Sequence, residues 1–448
     1  MFSVVQALLS SIFSLGLHSY AGRMISKYER TNAPECKEYL GAIFTYIMLF
    51  SIVGTSLSAI LIKPISNILL SDITLPNNMF YYVPIAMACA INVHGFSTGC
   101  LLNLQLNQKC FYIDIVQFVL FMPTQIIGLV FLRFSVWDVL ILQLIVQIIV
   151  TVYGLWFMKN WLTFRFSKLK IFREAMKFSL PMVPLSFAGW IQDRIDKVFL
   201  NKMNSLSSVG VYSAGTNLAN QYSFFSRPIA ITMKTEIMKR LDSDHPNIQK
   251  DIKDSFALFF QVSIFLYFVI SLFSKEIVTL LLNERFHECY KIVPIFLLSI
   301  VFSELTGIFQ VKFFFKNKTF FFPASLIVAA IMNAYLNYIL IPRYDIYGAA
   351  FAKTCTELLI LFTTYYMSQH FHKTEYHIYK NFIPLIMVIG IVYLVDSVNI
   401  GFWALIIMKS ILIAVYLLCI DYLFRVSNAR YCEARLLLTN KIRQLKKR

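Results

Sequence analysis

Apolar runs of about 20 residues, the length needed to cross roughly 30 Å of hydrocarbon, recur along the chain and leave few folds open to it. They fall at 1–21, 39–62, 79–103, 112–132, 136–158, 178–200, 207–233, 255–274, 291–311, 319–341, 346–368, 381–397 and 402–424. Little chain is left over for a soluble domain. A hydrophobic share of 58%, with only 15% charged residues, lies outside the soluble range. The fold class that follows is an all-α polytopic membrane protein with about 13 transmembrane helices.

The placement of charge orients those helices. If segment 22–38 is cytoplasmic and each span crosses once, about 29 Lys and Arg lie on that side and about seven on the other, the positive-inside pattern. The formal charge of +17 therefore sits in short loops between spans, where it faces the lipid bilayer and its anionic head groups, and no nucleic-acid partner is expected. The cysteines are scattered without CxxC pairs or histidine spacings, so neither a metal site nor a disulfide framework is expected. No P-loop is present, no cofactor is implied, and the outer loops are too short to carry an enzyme's chemistry; the chain reads as a non-enzyme.

The two halves resemble each other at an offset near 210 residues. Val83-Pro84-Ile85 matches Val293-Pro294-Ile295, and Gln108-Lys109 falls on Asn317-Lys318. Arg133-Phe134-Ser135-Val136-Trp137 falls on Arg343-Tyr344-Asp345-Ile346-Tyr347. A duplicated six-helix unit is the reading, and because six is even the copies run parallel, a transporter architecture with substrate expected near midplane. The second copy opens with the span at 178–200, whose counterpart would lie upstream of Met1; the first lobe is therefore expected to lack its first helix. The expected organisation is an N-terminal lobe at 1–158, a basic cytoplasmic linker at 159–177, a C-terminal six-helix lobe at 178–370, an appended helix pair at 371–424 and a basic cytoplasmic tail at 425–448.

Charges inside hydrocarbon cost about 2.5–3.5 kcal/mol each and persist when they face a cavity or a partner. The span at 207–233 carries Ser213, Thr216, Asn217, Asn220, Gln221 and Arg227, at spacings that put most of them on one face. A water-filled path and a helix-packing seam both fit that face, and the arginine favours the path. In 178–200, Asp193 and Lys197 stand at i and i+4 and can pair, whereas Arg194 has no acid at i±3 or i±4; interfacial anchoring is the alternative for this segment. Lys353 and Glu357 form another i, i+4 pair, either a self-satisfied ion pair or a site that changes protonation. Glu304 is the remaining buried acid, with His94 as its repeat equivalent, and Lys409 has no partner that the sequence identifies.

Phe178-Ser179-Leu180-Pro181-Met182-Val183-Pro184, then Asp196-Lys197 and Val209-Gly210-Val211-Tyr212-Ser213, resemble the helix 7–8 signature of the polysaccharide-exporting flippases. Leu340-Ile341-Pro342-Arg343-Tyr344-Asp345-Ile346-Tyr347-Gly348-Ala349-Ala350 is similar to the family's second landmark, with Asp345 where the pattern usually has Gly. These flippases belong to the multidrug/oligosaccharidyl-lipid/polysaccharide exporter superfamily. The resemblance implies two six-helix lobes in a V, alternating access, a bacterial inner membrane, and an undecaprenyl-pyrophosphate-linked oligosaccharide (an O-antigen or capsule repeat unit) as cargo. A polysaccharide polymerase and a chain-length regulator are the implied protein partners. Arg194, Arg227 and Lys353 would then meet the pyrophosphate, and Asn217, Asn220 and Gln221 the sugar hydroxyls. Asp193, Glu304 and Glu357 would couple transport to an ion gradient. A cation-coupled multidrug antiporter of the same superfamily and a non-transporting scaffold for polysaccharide assembly are the alternatives.

Overall fold

The computed structural model describes residues 2–28, 33–60, 82–128, 132–162, 169–241, 248–315, 321–371, 373–374, 376, 378–398 and 401–427. The stretch 63–78 between the expected spans at 39–62 and 79–103 and most of the basic tail lie outside the described residues, as does part of the expected linker. Every described regular element is a helix. Contacts divide the chain into two compact units, Met1–Val198 and Phe199–Arg448.

Unit 1 contains α1 (Phe2–Ser14), α2 (Leu17–Tyr28), α3 (Ala33–Ile60), α4 (Tyr82–Asn103), α5 (Asn107–Ile126), α6 (Val136–Met158), α7 (Leu169–Ser179) and most of α8 (Val183–Met203). Unit 2 contains α9 (Leu206–Asn220), α10 (Tyr222–Leu241), α11 (Ile248–Leu272), α12 (Ser274–Leu281), a 3-10 helix at Glu284–Lys291, and α13 (Val293–Phe309). It continues with α14 (Val311–Phe315), α15 (Phe321–Phe371), α16 (Ile378–Asp396) and α17 (Phe402–Ser427). Six of the described helices are long and apolar enough to cross a membrane, or seven if the bent pair α1–α2 is one span. At 1.5 Å per residue the 51-residue α15 would be roughly 75 Å long if straight, more than two hydrocarbon thicknesses. It bends instead, at Asp345.

Within each unit the same helices pair. In unit 1 α4 packs on α6, and in unit 2 α13 packs on α15. A threonine ties each pair across the seam: Thr151 Oγ1 donates to the carbonyl of Ala90 at 3.1 Å, and Thr354 Oγ1 to that of Ile295 at 2.7 Å. Hydroxyl-to-carbonyl bonds of this kind supply packing specificity where lipid removes the hydrophobic drive between helices. Large apolar side chains point outward on many helices, among them Phe111, Phe118, Ile331 and Trp403, each more than 60% exposed. A surface this apolar suits lipid and not water.

Two short features decide the local geometry of unit 1. Residues 169–177 of the expected linker belong to α7, whose Ile171 and Ala175 enter the core with α2 and α3, and Tyr39 donates to Glu174 at 3.2 Å. The first expected span is not straight: α1 and α2 meet at an angle of 53°, with Leu15 at φ 42° and Gly16 at φ 72°. A Cβ on Gly16 would stand 2.9 Å from both Met182 Cβ and the Ser179 carbonyl oxygen, so conformation and space both require glycine there.

The bend in α15 has a related cause. Asp345 adopts φ 49° and ψ −127°, a combination that glycine tolerates and other residues adopt at a cost of about 1–3 kcal/mol. Its carboxylate accepts a hydrogen bond from Ser208 of α9 at 3.0 Å, which offsets part of that cost. Thermal unfolding in detergent should reveal both bends. Gly16→Ala is expected to lose about 1–3 kcal/mol, and Asp345→Gly to be about 1–2 kcal/mol more stable than Asp345→Ala, which keeps the strain and loses the hydrogen bond.

Candidate functional site

The structure puts most of the polar residues singled out by spacing on unit 2, where α9 and α10 meet. The expected straight span at 207–233 tightens at Gln221, which keeps helical angles (φ −62°, ψ −25°) while its N–H bonds to Leu218 and its carbonyl accepts from Phe224. These i to i+3 bonds mark a local 3-10 turn. Asn217, Asn220, Gln221 and Arg227 are all exposed, and no carboxylate lies within ion-pair distance of Arg227 among the described residues. The Gln221 amide reaches back to the Asn217 carbonyl at 3.4 Å. Thr216, by contrast, is buried and bonds to the Ser213 carbonyl; it belongs to the packed side of α9. Pro228 interrupts α10 and removes one ladder bond next to Arg227.

The opposite face of α10 builds a second cluster that spacing alone did not identify. Tyr222, Ser226, Ala230 and Ile237 are buried on one stripe of a helix that packs on both α11 and α13. Ser226 donates a short hydrogen bond to Glu304 Oε1. Tyr222, Lys234 and Arg227 lie within electrostatic reach of the same carboxylate. Its Oε2 is buried without a hydrogen-bond partner among the described residues. Lys234 comes close to α13, its ammonium lying where a Cβ on Gly307 would stand. Lys234, one residue past the expected span at 207–233, thus reaches the helix pair, because helical side chains lean toward the N-terminus of their helix and α10 runs on to Leu241.

The other candidates resolve differently. Lys353 and Glu357 sit on the second half of α15 with Nζ and Oε1 3.4 Å apart, and their side chains are 10% and 5% exposed. Each stands on one face one turn apart, a buried ion pair. Asp193 and Arg194 belong to α8 in unit 1. Asp193 is exposed and Arg194 half-buried, while Asp196 accepts the backbone N–H of Lys197 at 2.7 Å. Trp190 of the same helix donates to the Val4 carbonyl at 3.1 Å, fastening α8 to α1. Lys409 has the partner that the sequence did not disclose: its ammonium donates to Glu276 at 2.6 Å. His94, the repeat equivalent of Glu304, likewise has a buried ring nitrogen without a hydrogen-bond partner. Among the described residues no group of three His, Cys, Asp or Glu could hold a metal.

An all-helical chain with apolar spans, an exposed amide and arginine face on α9–α10 and a buried carboxylate behind it has the features of a multi-pass membrane transporter. The chain belongs to the family described as polysaccharide biosynthesis protein, whose pattern it matches over residues 1–291. Solved structures share the fold. The lipid II flippase MurJ, in an inward closed conformation, superposes with a TM-score of 0.74 at 14% identity, covering 95% of this chain and 92% of that one. A multidrug resistance MATE family transporter of the MOP superfamily, inward-facing, gives 0.65 at 10% identity over 82% of this chain and 87% of that one. A MOP superfamily transporter from Pyrococcus furiosus gives 0.54 at 10% identity over 82% and 84%. No curated protein sequence matches the chain.

Double substitution tests the Glu304 cluster. Ser226→Ala leaves the buried carboxylate with its donor removed and should cost about 1–3 kcal/mol of thermal stability. Ser226→Ala with Glu304→Leu should recover part of that loss, since two apolar groups leave no orphan. Lys409→Ala strands Glu276 and is expected to cost about 3–5 kcal/mol.

Proposed function

We propose that this protein is a flippase for a lipid-linked oligosaccharide, moving an undecaprenyl-pyrophosphate-linked repeat unit from the inner to the outer leaflet of a bacterial inner membrane by alternating access. The observation that carries this reading is the exposed face of Asn217, Asn220, Gln221 and Arg227 on the run 207–233, which its sequence leads us to place in the membrane. Lipid does not solvate such groups, so the face answers to a hydrated or polar occupant. Amides suit sugar hydroxyls, and a guanidinium's planar fork suits a diphosphate. Membership of the polysaccharide biosynthesis family and the fold shared with a lipid II flippase point to the same class of cargo. Arg194 of α8 and Lys353 are secondary candidates for the diphosphate, Lys353 less so because Glu357 already neutralises it. A polymerase and a chain-length regulator would receive the product.

Among the three candidate coupling acids, Glu304 is favoured. Glu357 is held in an ion pair, and Asp193 is exposed. Glu304 has one hydroxyl donor, one free oxygen and a lysine beside it, an arrangement that can exchange a proton without dismantling an ion pair. This observation also suits the antiporter alternative, in which the same acid would serve a small cation.

In cells lacking the gene but keeping its pathway, lipid-linked oligosaccharide should accumulate in the inner leaflet, and the full-length copy should relieve it. Arg227→Ala, present at normal membrane levels, should slow flipping roughly tenfold or more, because a charge-assisted hydrogen bond contributes about 1.5–3 kcal/mol. A scaffold would tolerate that change, so normal surface polysaccharide with Arg227→Ala would reject the flippase site. Glu304→Gln should remove the dependence of proteoliposome flipping on an imposed pH gradient. An unchanged dependence would exclude Glu304 as the coupling group.

A further inference from the structure

Unit 2 contains a cavity of about 270 Å³ that lies apart from the α9–α10 face, walled by α12, the 284–291 helix, α13, the second half of α15 and the pair α16–α17. Lys275, Lys291 and Lys409 reach it from three different elements. Lys409 is neutralised by Glu276. Lys275 and Lys291 are not: their ammonium groups flank the Tyr290 ring at 5.6 and 6.0 Å, both side chains are exposed, and neither makes an ion pair among the described residues. Asp396 is the acid on the wall, and Glu288 lies within electrostatic reach of the lining Tyr290 and Tyr347; neither carboxylate is within ion-pair distance of Lys275 or Lys291 among the described residues. Phenols of Tyr347 and Tyr393 complete the polar lining.

Orientation makes these lysines unusual. Charge placement puts the 275–291 segment on the outer side, where only about seven basic residues are expected in all. Two of them converge on one cavity. The volume is just below the roughly 300–1,000 Å³ typical of sites for drug-sized molecules, so it suits a head group and not a whole lipid. Beside it, α16 and α17 present Leu394 and Trp403, 68% and 75% exposed, an apolar surface with an indole suited to the membrane interface.

We infer that this cavity binds the phosphate-bearing head group of an anionic membrane lipid, with Lys275 and Lys291 as charge partners and the acyl chains lying along α16–α17. The site is independent of what the α9–α10 face transports. Lysine is suited to the role as a mobile point charge, and the tyrosines supply hydroxyl donors to phosphate oxygens.

The test uses the full-length chain in phosphatidylcholine vesicles carrying trace spin-labelled phosphatidylglycerol or spin-labelled phosphatidylcholine, with the immobilised fraction read by electron paramagnetic resonance. The wild type should retain phosphatidylglycerol in preference to phosphatidylcholine. Lys275→Gln with Lys291→Gln should weaken that preference roughly ten- to thirtyfold, at about 1 kcal/mol for each lysine near a membrane surface, while Lys250→Gln should not. Gel filtration of the double variant separates lost binding from lost folding; a misfolded double variant is replaced by the two single variants, each expected to show a partial loss. Equal retention of the two lipids, or a folded double variant that behaves as the wild type, would overturn the site. Millimolar inorganic phosphate should leave the lipid bound. Full displacement by it would mean that the ligand is free phosphate and would overturn the assignment to a lipid.

Discussion

A backbone amide in hydrocarbon has no water to bond to, and leaving it unpaired costs several kcal/mol. The rest of this structure depends on that constraint. It accounts for the uniformly helical character of the described chain, since a helix satisfies its amides within the segment. It also makes each departure from a straight helix informative. The bend at Leu15–Gly16 keeps a turn bond from Ser19 to the Gly16 carbonyl. The tightening at Gln221 trades i to i+4 for i to i+3 bonds, and Asp345 turns α15 with help from the Ser208 hydroxyl. The breaks at Gly16 and Gln221 thus keep short-range backbone bonds in place of the straight ladder.

The same rule operates on charged side chains. Lys409 is bonded to Glu276 and Lys353 to Glu357, so each cation is neutralised where it is buried. Glu304 differs in kind. Its donor is a neutral serine, its second oxygen is unpartnered, and its cationic neighbours act at a distance. An acid kept in that state is the group from which coupling is expected, whereas a closed ion pair holds its protonation state. The Lys275–Lys291 pair is different again: both ammoniums border a cavity without an ion pair among the described residues, which leaves them available to a ligand.

Much of the α9–α10 face was legible because helical periodicity is a local property. Asn220 and Gln221 follow Asn217 at three and four residues, and Arg227 lies seven on from Asn220, two turns along the same face; the structure leaves all four exposed. The cluster behind them was not legible. Ser226 and Glu304 are 78 residues apart, and Lys409 and Glu276 are 133 apart, so no spacing rule joins them. Gly307 carries no signal until Lys234 is placed against it. The departure at 345, Asp where the family pattern has Gly, was visible as an oddity, and only the backbone angles explain it.

From its residues alone this chain was bound to be helical and membrane-embedded, with one polar face on an otherwise apolar span, because hydropathy and periodicity act over one or two turns. The repeat offset likewise followed from residue identity. The tertiary structure decided where helices bend, which buried charges are neutralised, and that Tyr222, Ser226 and Lys234 converge on Glu304. Those outcomes depend on which helix faces meet across dozens of residues. Burial then converts a meeting of side chains into a requirement for a partner, because an isolated polar group in a low-dielectric interior is too costly to leave unmet.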